Sequence, residues 1–307
     1  MAKAQTVKIG GRELTLTNQD KVYFPKEKIS KGDVLNYYQQ IYKYISPYLK
    51  DRPQSLRRNP DGIKNGGFFH KDAGDLAPSW MKTFKINSEA AGKKIDYLIC
   101  NEKATLAFMN NLGCIEINPW NSSLGSINKP DYMIMDIDPS DKNTFGQVIE
   151  TALVIKKLLD KAGAKSFCKT SGSTGLHIYI PLNAQYTYTQ IRSFAKGLAV
   201  LTQKELPDIT TVERPLNKRK GRIYIDYLQN RRGQTLACAY SLRPKPGATV
   251  SAPLEWKEVK KGLKISDFHI GNILKRLEKK GDLFKGVLTG KNDLKKCAKK
   301  LGIKQSS

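Results

Sequence analysis

Two aspartates, Asp136 and Asp138, interrupt the apolar, strand-forming run YMIMDIDPSD at residues 132–141. Side chains alternate across a strand with period two, so both acids leave one face while Met135 and Ile137 leave the other. Holding two like charges together on an apolar strand disfavours ionisation unless a cation neutralises them. Magnesium or manganese, hard and oxygen-seeking, is the natural partner. Sugar-nucleotide glycosyltransferases and structural turns share the D-x-D pattern, so a third acid is needed. Asp226 supplies one, again inside a strand of β-branched and aromatic residues, GRIYIDYLQN. Three such carboxylates could converge on one or two cations, and a pair of cations about 3.5–4 Å apart suits in-line phosphoryl displacement. The alternative for Asp226 is a salt bridge to Arg222 or Arg231.

The segment KTSGSTGLHIYIPL has the composition of an anion-binding turn. Its glycines permit close backbone approach, and Thr170, Ser171, Ser173 and Thr174 offer hydroxyls. The spacing is not that of a Walker A loop, and no lysine follows the last glycine. His177, one of three histidines, begins the strand after the turn, where it can donate to a phosphate or serve as a core residue. Gln229 lies three residues beyond Asp226. Arg243, in the Pro-flanked YSLRPKPGA, is either a surface charge or a guanidinium presented to a triphosphate.

The elements that must position these groups alternate in type. TVKIGGRELTLTN reads as a hairpin around Gly10 and Gly11, and residues 30–49 as a helix capped by Ser30 and ended near Pro47. A short helix stops at Gly113 before a strand; DYMIMDID is another strand; and Val148, Ala152, Ile155 and Leu159 recur at helical spacing in the helix that follows. Two strand-like pieces flank the Gly/Ser turn, and a long helix precedes the strand of Asp226. The alternation predicts an α/β or α+β domain with a central mixed β-sheet flanked by helices.

The chain has 307 residues, 53 Lys or Arg against 28 Asp or Glu, and a net charge of +25, which favours a polyanionic partner, nucleic acid above all. Five scattered cysteines without zinc-ligand spacing argue against structural zinc and suit reduced thiols in a cytosol. Neither a signal-peptide core nor a membrane-spanning apolar run of about 18 residues is present, so no membrane partner is expected. From Ile270 onward eleven Lys or Arg stand against three acids, in a helical tail that is either a nucleic-acid-binding appendage or a solvated helix face.

Taken together, MDIDP, SGSTGLHIYIPL and IDYLQNRRGQTLACAYSLRPKPGATVSAPLEW resemble the polymerase domain of the bacterial and archaeal ligase D systems, within the archaeo-eukaryotic primase superfamily. The resemblance runs from about Leu14 to Leu288. It implies a domain over residues 1–288, followed by a basic tail over 289–307. It further implies a nucleotidyltransferase that fills gaps and extends ends in non-homologous end joining, preferring ribonucleotides and using two Mn²⁺ or Mg²⁺ ions. Asp136, Asp138 and Asp226 would then be catalytic metal ligands, and Asn118, Ser171, Thr174, His177, Gln229 and Arg243 would contact the nucleotide. Asn18, Lys21 and Lys31, in LTNQDKVYFPKEKISKGD, match the pocket for a downstream 5′-phosphate. Arg58, Phe68, Phe69, Lys71 and Arg219 would meet DNA, the paired phenylalanines of NGGFFHKDA stacking on template bases; without the match, the same pair reads equally well as buried beneath a hairpin.

Two positions depart from the family pattern: Asn118 replaces a frequent histidine and Thr174 a frequent basic residue, which leaves sugar preference and nucleotide affinity open. The implied partners are double-stranded DNA with gaps, breaks or 3′ overhangs, nucleoside triphosphates, Ku and a DNA ligase, in a prokaryotic cytoplasm at the nucleoid. Rival readings are a primase or primase-polymerase that starts chains, and a non-catalytic module that binds DNA ends. No ligase nucleotidyl-lysine motif or phosphoesterase metal cluster is visible, so sealing would come from another chain or domain. Met1 and the lysine-rich stretch after Leu288 favour an independent polypeptide.

Overall fold

Gly10 and Gly11, both at positive φ, close the expected hairpin between β1 (Ala4–Ile9) and β2 (Arg12–Thr17). Period-two alternation turns Leu14 and Leu16 of β2 into a core shared with Leu35, Ala104 and Ala107. The structure is a computed structural model and describes residues 4–88 and 92–304. The chain divides into two compact units, the first comprising Met1–Gly125, Thr235–Ser251 and Phe268–Lys279, the second Ser126–Gln234, Ala252–Asp267 and Lys280–Ser307.

In the first unit, β3 (Val22–Phe24) and β4 (Ile29–Ser30) lead into α1 (Lys31–Gln40), which Ser30 caps in a reciprocal box with Asp33. The single helix expected up to Pro47 is two helices. Ile41, wholly buried, leaves helical geometry at ψ 3°, and α2 (Tyr42–Leu49) restarts after it with Pro47 inside. The apolar period runs through the break, so periodicity alone conceals it. Next come β5 (Gln54–Arg58), β6 (Phe68–His70), β7 (Thr83–Ser88), β8 (Lys93–Leu98), α3 (Lys103–Asn111) and β9 (Cys114–Pro119). Strands β6, β5 and β9 form an antiparallel sheet in that order, and β7 pairs with β8.

The second unit carries the expected central mixed sheet. Its strands are β10 (Tyr132–Asp138), β11 (Phe167–Thr170), β12 (Leu176–Pro181), β13 (Thr210–Thr211), β14 (Ile223–Asp226) and β15 (Pro253–Leu254), in spatial order β13-β14-β10-β12-β11-β15. All pairs are antiparallel except β13 with β14. Helices α4 (Phe145–Ala162) and α5 (Tyr188–Glu205) start from capping boxes at Thr144 and Thr187 and pack on each other and on β10. Val148, Ala152, Ile155 and Leu159 of α4 are buried, as their spacing requires. A short α6 (Leu216–Arg219) precedes β14.

After β15 come α7 (Ile273–Lys280), α8 (Gly286–Thr289) and α9 (Leu294–Leu301). The described part of the basic tail packs on the second unit: α9 lies against α4 with Leu294, Cys297 and Ala298 buried, while Lys295, Lys296, Lys299 and Lys300 are exposed.

Candidate metal and phosphate site

The acids of the second unit are set by strand register. Asp136 of β10 lies opposite Asp226 of β14 on one side and opposite His177 of β12 on the other. Directly opposed residues of antiparallel strands share a face, so all three side chains leave the sheet together, with Asp138 two residues along the same face. Met133, Met135 and Ile137 leave the other face and are fully buried.

Each carboxylate is held by protein groups. Asp136 Oδ1 is 3.3 Å from His177 Nε2. Asp138 Oδ2 accepts from Arg219 Nη1 at 3.0 Å, and that guanidinium lies over the Tyr224 ring, 4.2 Å from its centroid. Asp226 accepts from the Tyr224 hydroxyl at 3.1 Å, the Leu228 amide at 2.8 Å and Gln229 Nε2 at 3.3 Å. Arg222 donates instead to the carbonyl oxygens of Arg219 and Pro207. Burial, and after it the charge of Asp138, raises the Asp226 carboxyl above its ordinary range against the opposing hydrogen bonds.

Among the described residues, no three His, Cys, Asp or Glu side chains are drawn together as a formed metal cluster. The donor set nonetheless fits a hard divalent cation. It offers three carboxylates on one face, and the Asp226 carboxyl, disfavoured as an anion by burial and by the charge of Asp138, is one a cation would relieve.

The Gly/Ser turn between β11 and β12 is built around Ser171. Its buried Oγ accepts from the backbone N–H groups of Ser173, Thr174 and Gly175 at 3.0, 3.1 and 3.0 Å, so these amides face the hydroxyl. Thr170 Oγ1 is likewise engaged, accepting from Ala252 N at 2.9 Å, whereas Thr174 is exposed. Gly175 is obligatory: a Cβ there would lie 2.0 Å from the carbonyl oxygen of Ile137, between the two acids of β10.

The first unit gathers the other groups. Asn118 is buried in β9, two residues from Glu116, whose Oε2 accepts from Arg243 Nε at 2.7 Å. Asn18, Lys21 and Lys31 meet at the start of α1: the Lys21 amide donates to Asn18 O at 3.1 Å and the Lys31 amide to Lys21 O at 2.8 Å. Lys21 pairs with Asp61, and Lys31 Nζ donates to Thr17 O at 2.7 Å. Burial, with Lys21 as second cause, lowers the Lys31 ammonium to about 8. Two lysines at a capped helix N-terminus favour an anion.

Phe68 and Phe69 are exposed in β6, which rules out burial beneath a hairpin. The Arg58 guanidinium stands 5.3 Å from the Phe68 ring centroid and that of Arg57 5.1 Å from the Phe69 centroid. Arg58 Nε also donates to Leu112 O at 2.8 Å, and Lys71 is exposed after the strand. Sequence reasoning missed Arg57, Glu116 and the wholly buried Lys169 of β11, whose Nζ lies 2.8 Å from His177 Nδ1. Only Lys169 carried a readable signal, a charge inside the strand-like FCKT comparable to the aspartates of β10.

Over residues 30–284 the chain matches the family described as LigD, primase-polymerase domain. It is 32% identical over 270 residues to the bifunctional non-homologous end joining protein LigD of Bacillus subtilis (strain 168), covering 88% of this chain and 43% of that one. To the multifunctional LigD of Mycolicibacterium smegmatis it is 29% identical over 270 residues, covering 87% and 35%. The chain thus spans less than half the length of these curated relatives. The fold is shared with the polymerase domain from Mycobacterium tuberculosis ligase D in complex with DNA, at TM-score 0.82 and 27% identity over 91% of this chain and 99% of that one.

Proposed function

The chain belongs to the LigD primase-polymerase domain family, and from that premise we propose that it is a DNA-directed nucleotidyltransferase that fills gaps and extends broken ends in non-homologous end joining. The observation that carries the reading is the register placing Asp226 opposite Asp136, with Asp138 on the same face. Asp136, Asp138 and Asp226 would hold Mg²⁺ or Mn²⁺, which when bound supplies positive charge at the attacking hydroxyl and at the leaving pyrophosphate. In the reaction a primer 3′-hydroxyl displaces pyrophosphate from the α-phosphate of a nucleoside triphosphate.

The remaining roles belong to the same proposal. Ser171, Thr174, Gln229, Asn118 and Arg243 contact the nucleotide, His177 does so by sharing the Nε2 proton that it directs at Asp136, and Ser171 also keeps its turn in shape. Asn18, Lys21 and Lys31 take a downstream 5′-phosphate in exchange for the Lys21–Asp61 pair. Arg58, Phe68, Phe69 and Lys71 engage the template. Arg219, seated on Asp138 through Nη1, meets DNA beside that carboxylate. Ribonucleotides are the preferred substrates, Ku and a DNA ligase are the partners, and the site of action is the nucleoid of a prokaryote. Among the described residues no helix is long and apolar enough to cross a membrane.

Primer extension on a gapped duplex, with and without manganese and with ATP compared against dATP, tests the reading. Incorporation by the wild type and its loss in Asp138→Ala are expected. A wild type that binds the gap but incorporates nothing would leave a DNA-end-binding module, and undiminished incorporation by Asp138→Ala would remove the metal assignment.

A further inference from the structure

We propose that Lys169 is a positioning residue of the carboxylate row, holding the His177 imidazole with its Nε2 proton toward Asp136. On β11 Lys169 lies opposite His177, His177 lies opposite Asp136, and Asp136 lies opposite Asp226. Four side chains from four neighbouring antiparallel strands therefore form one row on one face of the sheet. Burial grades along it: Lys169 is 0% exposed, the His177 side chain 4% and the Asp136 side chain 14%. The lysine is sealed at the inner end, so it acts on the outer groups through the histidine.

The direction of the hydrogen bonds follows from the donors. Lys169 Nζ stands within hydrogen-bond distance of His177 Nδ1, at 2.8 Å, and 5.6 Å from the centroid of the Tyr179 ring, whose face attracts an ammonium. An ammonium has three donors and no acceptor, so Nδ1 accepts and the proton of the neutral ring resides on Nε2, 3.3 Å from Asp136 Oδ1. The ring is thereby fixed, and with it the carboxylate oxygen it touches. A fully buried ammonium is costly unless compensated, and a row of acids on the same face supplies the compensation. The catalytic consequence rests on the polymerase reading; the hydrogen-bond geometry does not.

Long-range ¹H–¹⁵N correlation spectra of protein labelled at its three histidines test the proposal, with His177 assigned by its substitution. In the metal-free wild type His177 is expected with Nε2 protonated and Nδ1 bare; a proton on Nδ1 would overturn the proposal before any variant is made. Lys169→Met should lose this tautomer and weaken Mn²⁺ binding, read by electron paramagnetic resonance of the free ion, about 10- to 100-fold. Lys169→Gln, which keeps a neutral donor, should restore the tautomer and part of the affinity. Unchanged tautomer and affinity in Lys169→Met would sink the idea, and if that variant does not fold, the wild-type spectrum and Lys169→Gln decide. The expected spectra from a protein that extends no primer would uphold the positioning role while removing the polymerase reading. Extension by a protein with the opposite tautomer would do the reverse.

Discussion

The carboxylate row of the second unit and the aromatic edge of the first meet their surroundings in opposite ways. Asp136, Asp138 and Asp226 are each tied to a named partner on a sheet whose other face is fully buried, whereas Phe68 and Phe69 are 49% and 56% exposed and touched mainly by arginines. Transfer chemistry needs reacting atoms held to fractions of an ångström, which buried cross-strand register provides. Binding arbitrary sequence needs π-faces left open, since stacking is available from every base.

That contrast breaks first at the acids. Asp138→Ala should reduce primer extension by about 10²–10³-fold with gapped-duplex affinity nearly intact, measured by steady-state kinetics beside a binding isotherm. Comparable loss of DNA affinity would dissolve the division of labour. Next, Phe68→Ala and Phe69→Ala should each weaken binding of the template strand by about 5- to 100-fold while leaving the thermal midpoint almost unchanged, because little buried surface is lost. A large drop in that midpoint would make the rings structural.

Gly175→Ala tests how rigidly the turn is locked to β10. The Cβ would meet Ile137 O at 2.0 Å, and a cost of about 1–3 kcal/mol is expected in denaturant titration. The smallest effect is a pH dependence in the first unit. Lys31 titrates near 8 in the folded chain against an ordinary 10.5, so preference for a 5′-phosphorylated gap should fall about three- to tenfold from about pH 7 to about pH 9. Lys31→Arg, which stays charged, should flatten the profile. The sign for stability is opposite: with its folded value depressed, Lys31 opposes folding below about 8, and stability rises with pH from there toward 10.5.

Much of this was legible because it is local. The period-two placement of Asp136 and Asp138, the Ser30 cap and the apolar stripe of α4 are written within a few residues of one another. Pairings between distant residues were not. Arg219 finds Asp138 across 81 positions and Arg243 finds Glu116 across 127, and nothing in either segment names the other. Ser171 had the right composition for an anion site, yet composition does not tell which way amides point, and three of them face its own hydroxyl. Ile41 broke a helix whose apolar rhythm continues without interruption.

Strand β6 is only three residues long and lies at the outer edge of its sheet, with two exposed rings beside a backbone edge that pairs with no further strand among the described residues. Such an edge is a template for self-association, and its brevity together with the flanking arginine charge limits that hazard. On the proposed role of Phe68 and Phe69 in stacking on template bases, the colloidal behaviour of the protein would be coupled to DNA binding. Light scattering on concentrated samples should show self-association that rises with added salt, as the arginines are screened, and that single-stranded DNA suppresses by covering the rings.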